Sequence, residues 1–78
     1  MSHFNSPAEV LAYANRVAAE DIQRWRDNNV ELNPFCTQQA RDSWQRGYDN
    51  AGPRSYENTL DFDTIYQRGA ACRRLLEQ

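Results

Sequence analysis

The sequence has no lysine, and all nine of its basic residues are arginine. Arginine presents a planar fork that suits bidentate ion pairs and interface contacts, where lysine presents a point charge. The cations are therefore read as contact-makers, with a biased genome composition as the plain alternative. Histidine occurs once, at His3. Cysteine occurs twice, as Cys36 and Cys72, without C-x-x-C spacing. Zinc sites need paired ligand spacing, so a metal is not expected. The same two cysteines read as reduced thiols of a cytoplasmic protein, with a Cys36–Cys72 disulfide as the less favoured arrangement. The three glycines are isolated, which excludes a glycine-rich phosphate loop. There is no long apolar run and no basic-then-apolar start, so neither a membrane span nor a secretory signal is expected.

The chain's 78 residues are read as one domain, 1–78, with 1–5 as a loose N-terminus. A chain of this size buries only about 60% of its unfolded surface, so a homodimer or a larger partner would add burial that the chain lacks alone. The net charge is −2, and the charges are interspersed rather than blocked, as on a solvated helical surface.

Apolar periodicity predicts an all-α fold of three helices, at about 7–27, 37–51 and 61–76, around one core. Ser6-Pro7-Ala8-Glu9 is a helix start, with Ser6 as cap, Pro7 in the first position and Glu9 completing a capping box. Phe4 is placed to fold back on Val10. Val10, Leu11, Ala14, Val17, Ala18, Ile22 and Trp25 form the first stripe, and Asn28-Asn29 ends the helix. Val30 and Leu32 are expected to pack inward from an extended connector. A polar loop from Gly52 to Thr59 precedes the third helix, which Thr59 or Asp61 caps. Its stripe is Phe62, Ile65, Tyr66, Gly69, Cys72, Leu75 and Leu76. Arg73 and Arg74 suit its C-terminal dipole.

The most informative stretch runs from Asn33 to Gly52. Asn33-Pro34 reads as a turn, and Thr37 is preferred to Asn33 as the cap of the helix that follows. Ala40, Trp44, Gly47, Tyr48 and Ala51 make one helix face, and Gly52-Pro53 stops it, with glycine in the left-handed position. An interior glycine costs about 1 kcal/mol against alanine, so Gly47 is read as a notch for close packing. Trp44-Gln45-Arg46-Gly47 is echoed by Tyr66-Gln67-Arg68-Gly69. Two such notches let the second and third helices cross closely, each aromatic covering the other's glycine.

Asn33, Pro34, Phe35, Arg41, Trp44, Gly47, Tyr48 and Ala51 together resemble the ribosome modulation factor family and its small plasmid- and phage-borne relatives. The resemblance spans residues 33–52. It implies a small helical protein without a cofactor, and its namesake binds and silences the ribosome. That namesake is strongly basic, whereas this chain carries a net charge of −2.

Catalysis finds few candidates. Cys36 at a helix start is a conceivable nucleophile, but His3 is the one histidine to serve it, and a small packed thiol is the simpler reading. Glu20 with Asp21, and Asp61 with Asp63, are carboxylate pairs expected to face solvent. Arg41, Arg46, Arg68, Arg73 and Arg74 alternate with Asp42, Asp49, Asp61 and Asp63, so a basic stripe for nucleic acid is weak. The expectation is a non-enzymatic binding protein without cofactors. It would modulate or inhibit a larger machine through a protein interface, as a phage or mobile-element regulator would. A ribosome- or RNA-associated factor is the alternative. The expected contact residues are Tyr13, Arg41, Tyr56, Tyr66 and Arg68, whichever tyrosines stay exposed.

Overall fold

A computed structural model describes residues 6–52 and 60–78, with the main chain alone at residues 60–62. Three helices occur in the order α1 (Pro7–Asn28), α2 (Gln38–Asp49) and α3 (Leu60–Leu76). The Phe4 staple, the loose N-terminus, Tyr56, the cap proposed at Thr59 and the stop proposed at Pro53 lie outside the described residues. Asp61 lies within α3 and so does not cap it.

Each described helix end follows its local chemistry. Ser6 Oγ accepts from the Glu9 N–H at 3.3 Å, with Pro7 opening α1, where its missing donor is harmless. Asn29 closes α1 in the left-handed region at φ 53°, donating its N–H to the Trp25 carbonyl. Thr37 Oγ1 accepts from the Ala40 N–H and opens α2. The stop of α2 departs from expectation. Asn50, not Gly52, takes the left-handed cap at φ 56°, because asparagine tolerates that conformation and sits where the last turn runs out. The helix therefore ends at Asp49, before Ala51, and Gly52 adds a second positive φ of 87° just beyond.

The middle layer is α3, which packs on α1 and on α2, while those two have little direct contact. This explains why α3 is less amphipathic than its neighbours: it must be apolar towards two helices. Cys72 meets α1, its Sγ donating to the Ala18 carbonyl at 3.8 Å. Gly69 meets α2, where an added Cβ would collide with the carbonyl of Trp44. Ala18, Ile22, Trp44, Ala71 and Cys72 are buried together, with Leu32, Phe35, Tyr48, Ile65 and Leu76 packed against them.

Four expected core residues are exposed. Leu11 is 43% exposed, Trp25 37%, Leu75 36% and Val30 43%. The helical three belong to the predicted stripes but stay exposed, although Val10 beside Leu11 is fully buried and Leu76 beside Leu75 packs on the core. Val30 follows the α1 cap and points outward, whereas Leu32 alone of the connector pair packs on the core. Asp21 corrects the expectation in the other direction. It is 1% exposed and lies on the buried face of α1. The notch reading is corrected in its chemistry: main chain rather than an aromatic ring fills each glycine, and the Trp44 ring stacks on Tyr48 with centroids 5.2 Å apart.

Candidate protein-binding surface

The turn before α2 is a clasp built from the motif residues. Asn33 Oδ1 accepts from the Phe35 N–H at 3.1 Å, which closes an Asx turn around Pro34. Asn33 Nδ2 donates to the Arg41 carbonyl at 3.2 Å, tying the turn to the first helical turns of α2. Arg41 returns the link, with Nη1 donating to the Phe35 carbonyl at 2.9 Å and to Glu31 Oε2 at 2.8 Å. Those bonds hold the Glu31 carboxyl below its ordinary range and raise the Arg41 guanidinium.

The clasp continues into the core. Arg68 stacks over the Phe35 ring with its guanidinium carbon 5.1 Å from the centroid. It also grips the buried Asp21 with two hydrogen bonds, Nε to Oδ2 at 2.6 Å and Nη2 to Oδ1 at 2.7 Å. Arg24 adds a third at 2.9 Å from the same helix. Asp21 thus has three charge-assisted donors, which is what a carboxylate needs away from water. The contact with Asp21 raises the Arg68 guanidinium.

Beside the clasp, an open groove of about 430 Å³ is lined by Asn33, Cys36, Gln38, Arg41, Asp42 and Gln45. Cys36 is exposed and Cys72 buried, both as free thiols. Gln45 donates to the Asp49 carboxylate at 3.1 Å. Val30 stands exposed next to Glu31, the partner of Arg41. The groove offers an amide-rich, mixed-charge wall, suited to hydrogen-bonding a polypeptide segment. Among the described residues there is no histidine, and no group of three His, Cys, Asp or Glu is placed to hold a metal.

Four of the five expected contact residues lie among the described residues. Arg41 lines the groove. The Arg68 side chain is 18% exposed and engaged with Asp21. Tyr13 is half-buried, with the Arg16 guanidinium 5.4 Å from its ring centroid. Tyr66 is half-buried, its hydroxyl accepting from the Gly52 N–H at 3.2 Å on the far side of the α2–α3 crossing. Tyr56 lies outside the described residues. Cys36, Gln38, Asp42 and Gln45 were not anticipated as a group. Their one sequence signal is position: they cluster at the start of α2, directly after the motif turn.

No helix among the described residues is long and apolar enough to cross a membrane. Compared with protein-family models, with curated proteins and with solved structures, the chain gives no significant match. The likeness of residues 33–52 to the ribosome modulation factor family therefore rests on those residues alone.

Proposed function

We propose that this chain is a small non-enzymatic binding protein that modulates or inhibits a larger cellular machine through a protein–protein contact. The contact is the groove at the start of α2, with the exposed Gln38 and Gln45 as hydrogen-bonding groups and Arg41 shaping its wall through its bonds to Glu31 and the Phe35 carbonyl. The supporting observation is where the guanidinium groups go. Arg24 and Arg68 bind Asp21, Arg41 binds Glu31 and a carbonyl, and Arg46 binds the carbonyls of Ala51 and Gly52. Arg73 binds Glu77 and the Tyr48 carbonyl, and Arg74 binds Asn15. Cations committed to internal acceptors are poor recruiters of phosphate, since each new phosphate contact must first replace an existing one. Gln38 and Gln45 of the groove are exposed, where a polypeptide can use them. A regulator encoded by a phage or mobile element would have this size and economy.

The test is capture of partners from lysate by the tagged chain, repeated with Gln38→Ala and Gln45→Ala. One dominant soluble protein, lost with both variants while helicity is retained, is the expected result. Affinity for that partner should change only modestly from low to moderate salt. Ribosomal proteins in the eluate, with affinity falling several hundredfold over the same range, would signal many phosphate contacts and replace this reading with the ribosome or RNA one.

A further inference from the structure

We propose that Arg68 of α3 is the positioning residue of the α2 groove, holding the turn that shapes it through the ring of Phe35. The inference rests on the groove reading above and names what keeps that groove in shape. Arg68 is itself firmly held. Its Nε and Nη2 donate to the two carboxylate oxygens of Asp21 at 2.6 and 2.7 Å, and the Asp21 side chain is 1% exposed. A fork that gives two bonds to one carboxylate is fixed in plane as well as in place. Arg24 adds its own bond to Asp21 Oδ1 and steadies the carboxylate. The guanidinium so fixed lies over the Phe35 ring, 5.1 Å from its centroid, where the face of the ring attracts a cation.

Phe35 is the residue on which the turn and the helix are both tied. Its N–H donates to Asn33 Oδ1 and its carbonyl accepts from Arg41 Nη1. Asn33 and Arg41 line the groove, and so does Cys36, the next residue in the chain. Three of the six lining residues are thus bonded to Phe35 or adjoin it. The Phe35 ring packs against the core, so a group that holds the ring holds the turn. Since α1 has little direct contact with α2, the buried carboxylate of α1 bears on the groove by way of Arg68. Lysine at position 68 would keep a charge for Asp21, but it has no planar fork to grip both oxygens and lie on a ring.

The test reads the groove directly and needs no partner. Two-dimensional nitrogen-15 NMR of the intact chain follows the side-chain amides of Gln38, Gln45 and Asn33, whose Nδ2 donates to the Arg41 carbonyl. A thiol reagent follows the exposed Cys36 in the native protein. Arg68→Lys and Phe35→Leu should each shift the Asn33 amide and change the Cys36 rate, and Phe35→Tyr, which keeps the ring, should leave both near wild type. Combining Arg68→Lys with Phe35→Leu should move the signals no further than the larger single change, because both break one link. Where Arg68→Lys does not fold, Arg68→Met with Asp21→Asn, which leaves no buried charge, gives the same reading. Val10→Ala is the control for general loosening: Val10 is fully buried, but it lies outside the cluster against which Phe35 packs. Its groove signals should stay at wild-type positions although its Tm falls. Groove signals unmoved by the change at Arg68 overturn the proposal. So do shifts that add in the double variant, or equal shifts in Val10→Ala. A failed partner capture would end the groove reading and leave these shifts in place, whereas additive shifts with capture still lost in Gln38→Ala would end only the role of Arg68.

Discussion

Gly47 of α2 lies directly on the carbonyl of Tyr66 in α3, and the relationship is reciprocal: Gly69 of α3 lies on the carbonyl of Trp44 in α2. Each glycine is three residues after the residue that covers the other. Two main chains therefore meet without side chains between them, and both helices are fixed in register by the same pair of contacts. Trp44 and Tyr66 are held at the crossing by their backbones, which frees the Trp44 ring to stack on Tyr48 and the Tyr66 hydroxyl to accept from Gly52.

That crossing reverses the usual sign of a glycine-to-alanine change. In an open helix interior, alanine gains about 1 kcal/mol over glycine. At Gly47 or Gly69 the new Cβ would overlap a carbonyl of the facing helix, and a backbone cannot swing aside as a side chain can. Overpacking of this kind costs about 1–3 kcal/mol. Gly47→Ala and Gly69→Ala should each lower Tm, by roughly 4–8 °C per kcal/mol in a domain of this size. Thermal melts followed by circular dichroism check it. A Tm at or above the wild-type value would mean that the helices cross farther apart.

Much of this fold was legible in the sequence because its signals are local. Ser6-Pro7 and Thr37 specify helix starts through their own hydrogen bonds, and Asn29 specifies a stop. The echo of Trp44–Gly47 in Tyr66–Gly69 pointed to a close crossing, although which atoms fill the notch depends on two helices at once. The edges of the buried faces were not legible. Leu11, Trp25 and Leu75 fall on apolar stripes, but a stripe does not say which of its members the neighbouring helix covers. Asp21 was missed for a related reason: its neighbour Glu20 faces solvent, and only the buried positions of Val17, Ala18 and Ile22 place Asp21 inside. In the candidate surface, Asn33 and Arg41 stood out as motif residues, while their mutual clasp joins atoms that sequence spacing alone does not bring together.

The Asp21–Arg68 pair should dominate the polar part of stability. Asp21 is 1% exposed and takes both prongs of Arg68. Removing one partner of a buried pair leaves an uncompensated charge and costs about 3–5 kcal/mol. Asp21→Asn is expected to lose stability in that range by urea denaturation, whereas Glu20→Gln on the exposed side should stay within about 0.5 kcal/mol. The double variant Asp21→Asn with Arg68→Met should recover part of the loss, since no orphan cation remains. Equal effects of Asp21→Asn and Glu20→Gln would contradict the geometry.

The absence of lysine becomes testable at Arg46. Its Nε donates to the Gly52 carbonyl and its Nη2 to the Ala51 carbonyl, both at 3.0 Å, so one fork holds the chain leaving α2. An ammonium group cannot reproduce that two-point geometry. Arg46→Lys should cost about 1 kcal/mol, near the net worth of one hydrogen bond. Arg16→Lys, at an exposed position over Tyr13, should change stability by less than about 0.5 kcal/mol. If the two lysine variants melt alike, the preference for arginine at position 46 is compositional rather than structural.

The two thiols should behave as opposites. Cys36 is exposed and should react with a thiol reagent in the native protein, while Cys72, fully buried, should react only after denaturation, with two thiols then titrated per chain. Burial, with the nearby Asp21 carboxylate adding to it, pushes the Cys72 thiol up from 9.0 to about 12. The folded state thus holds this proton more tightly than the unfolded chain does. The stabilisation is fully present below the unfolded value of 9.0 and is lost as pH rises towards about 12. The slope can reach about 1.4 kcal/mol per pH unit in that window. Tyrosines titrate there too, so the informative quantity is the difference between wild type and Cys72→Ala, measured by urea denaturation from about pH 7 to about pH 10. That difference should stay constant up to about pH 8 and shift against the wild type above pH 9, because only the wild type must keep the thiol protonated. A difference that does not change with pH would place the Cys72 sulfur in contact with water.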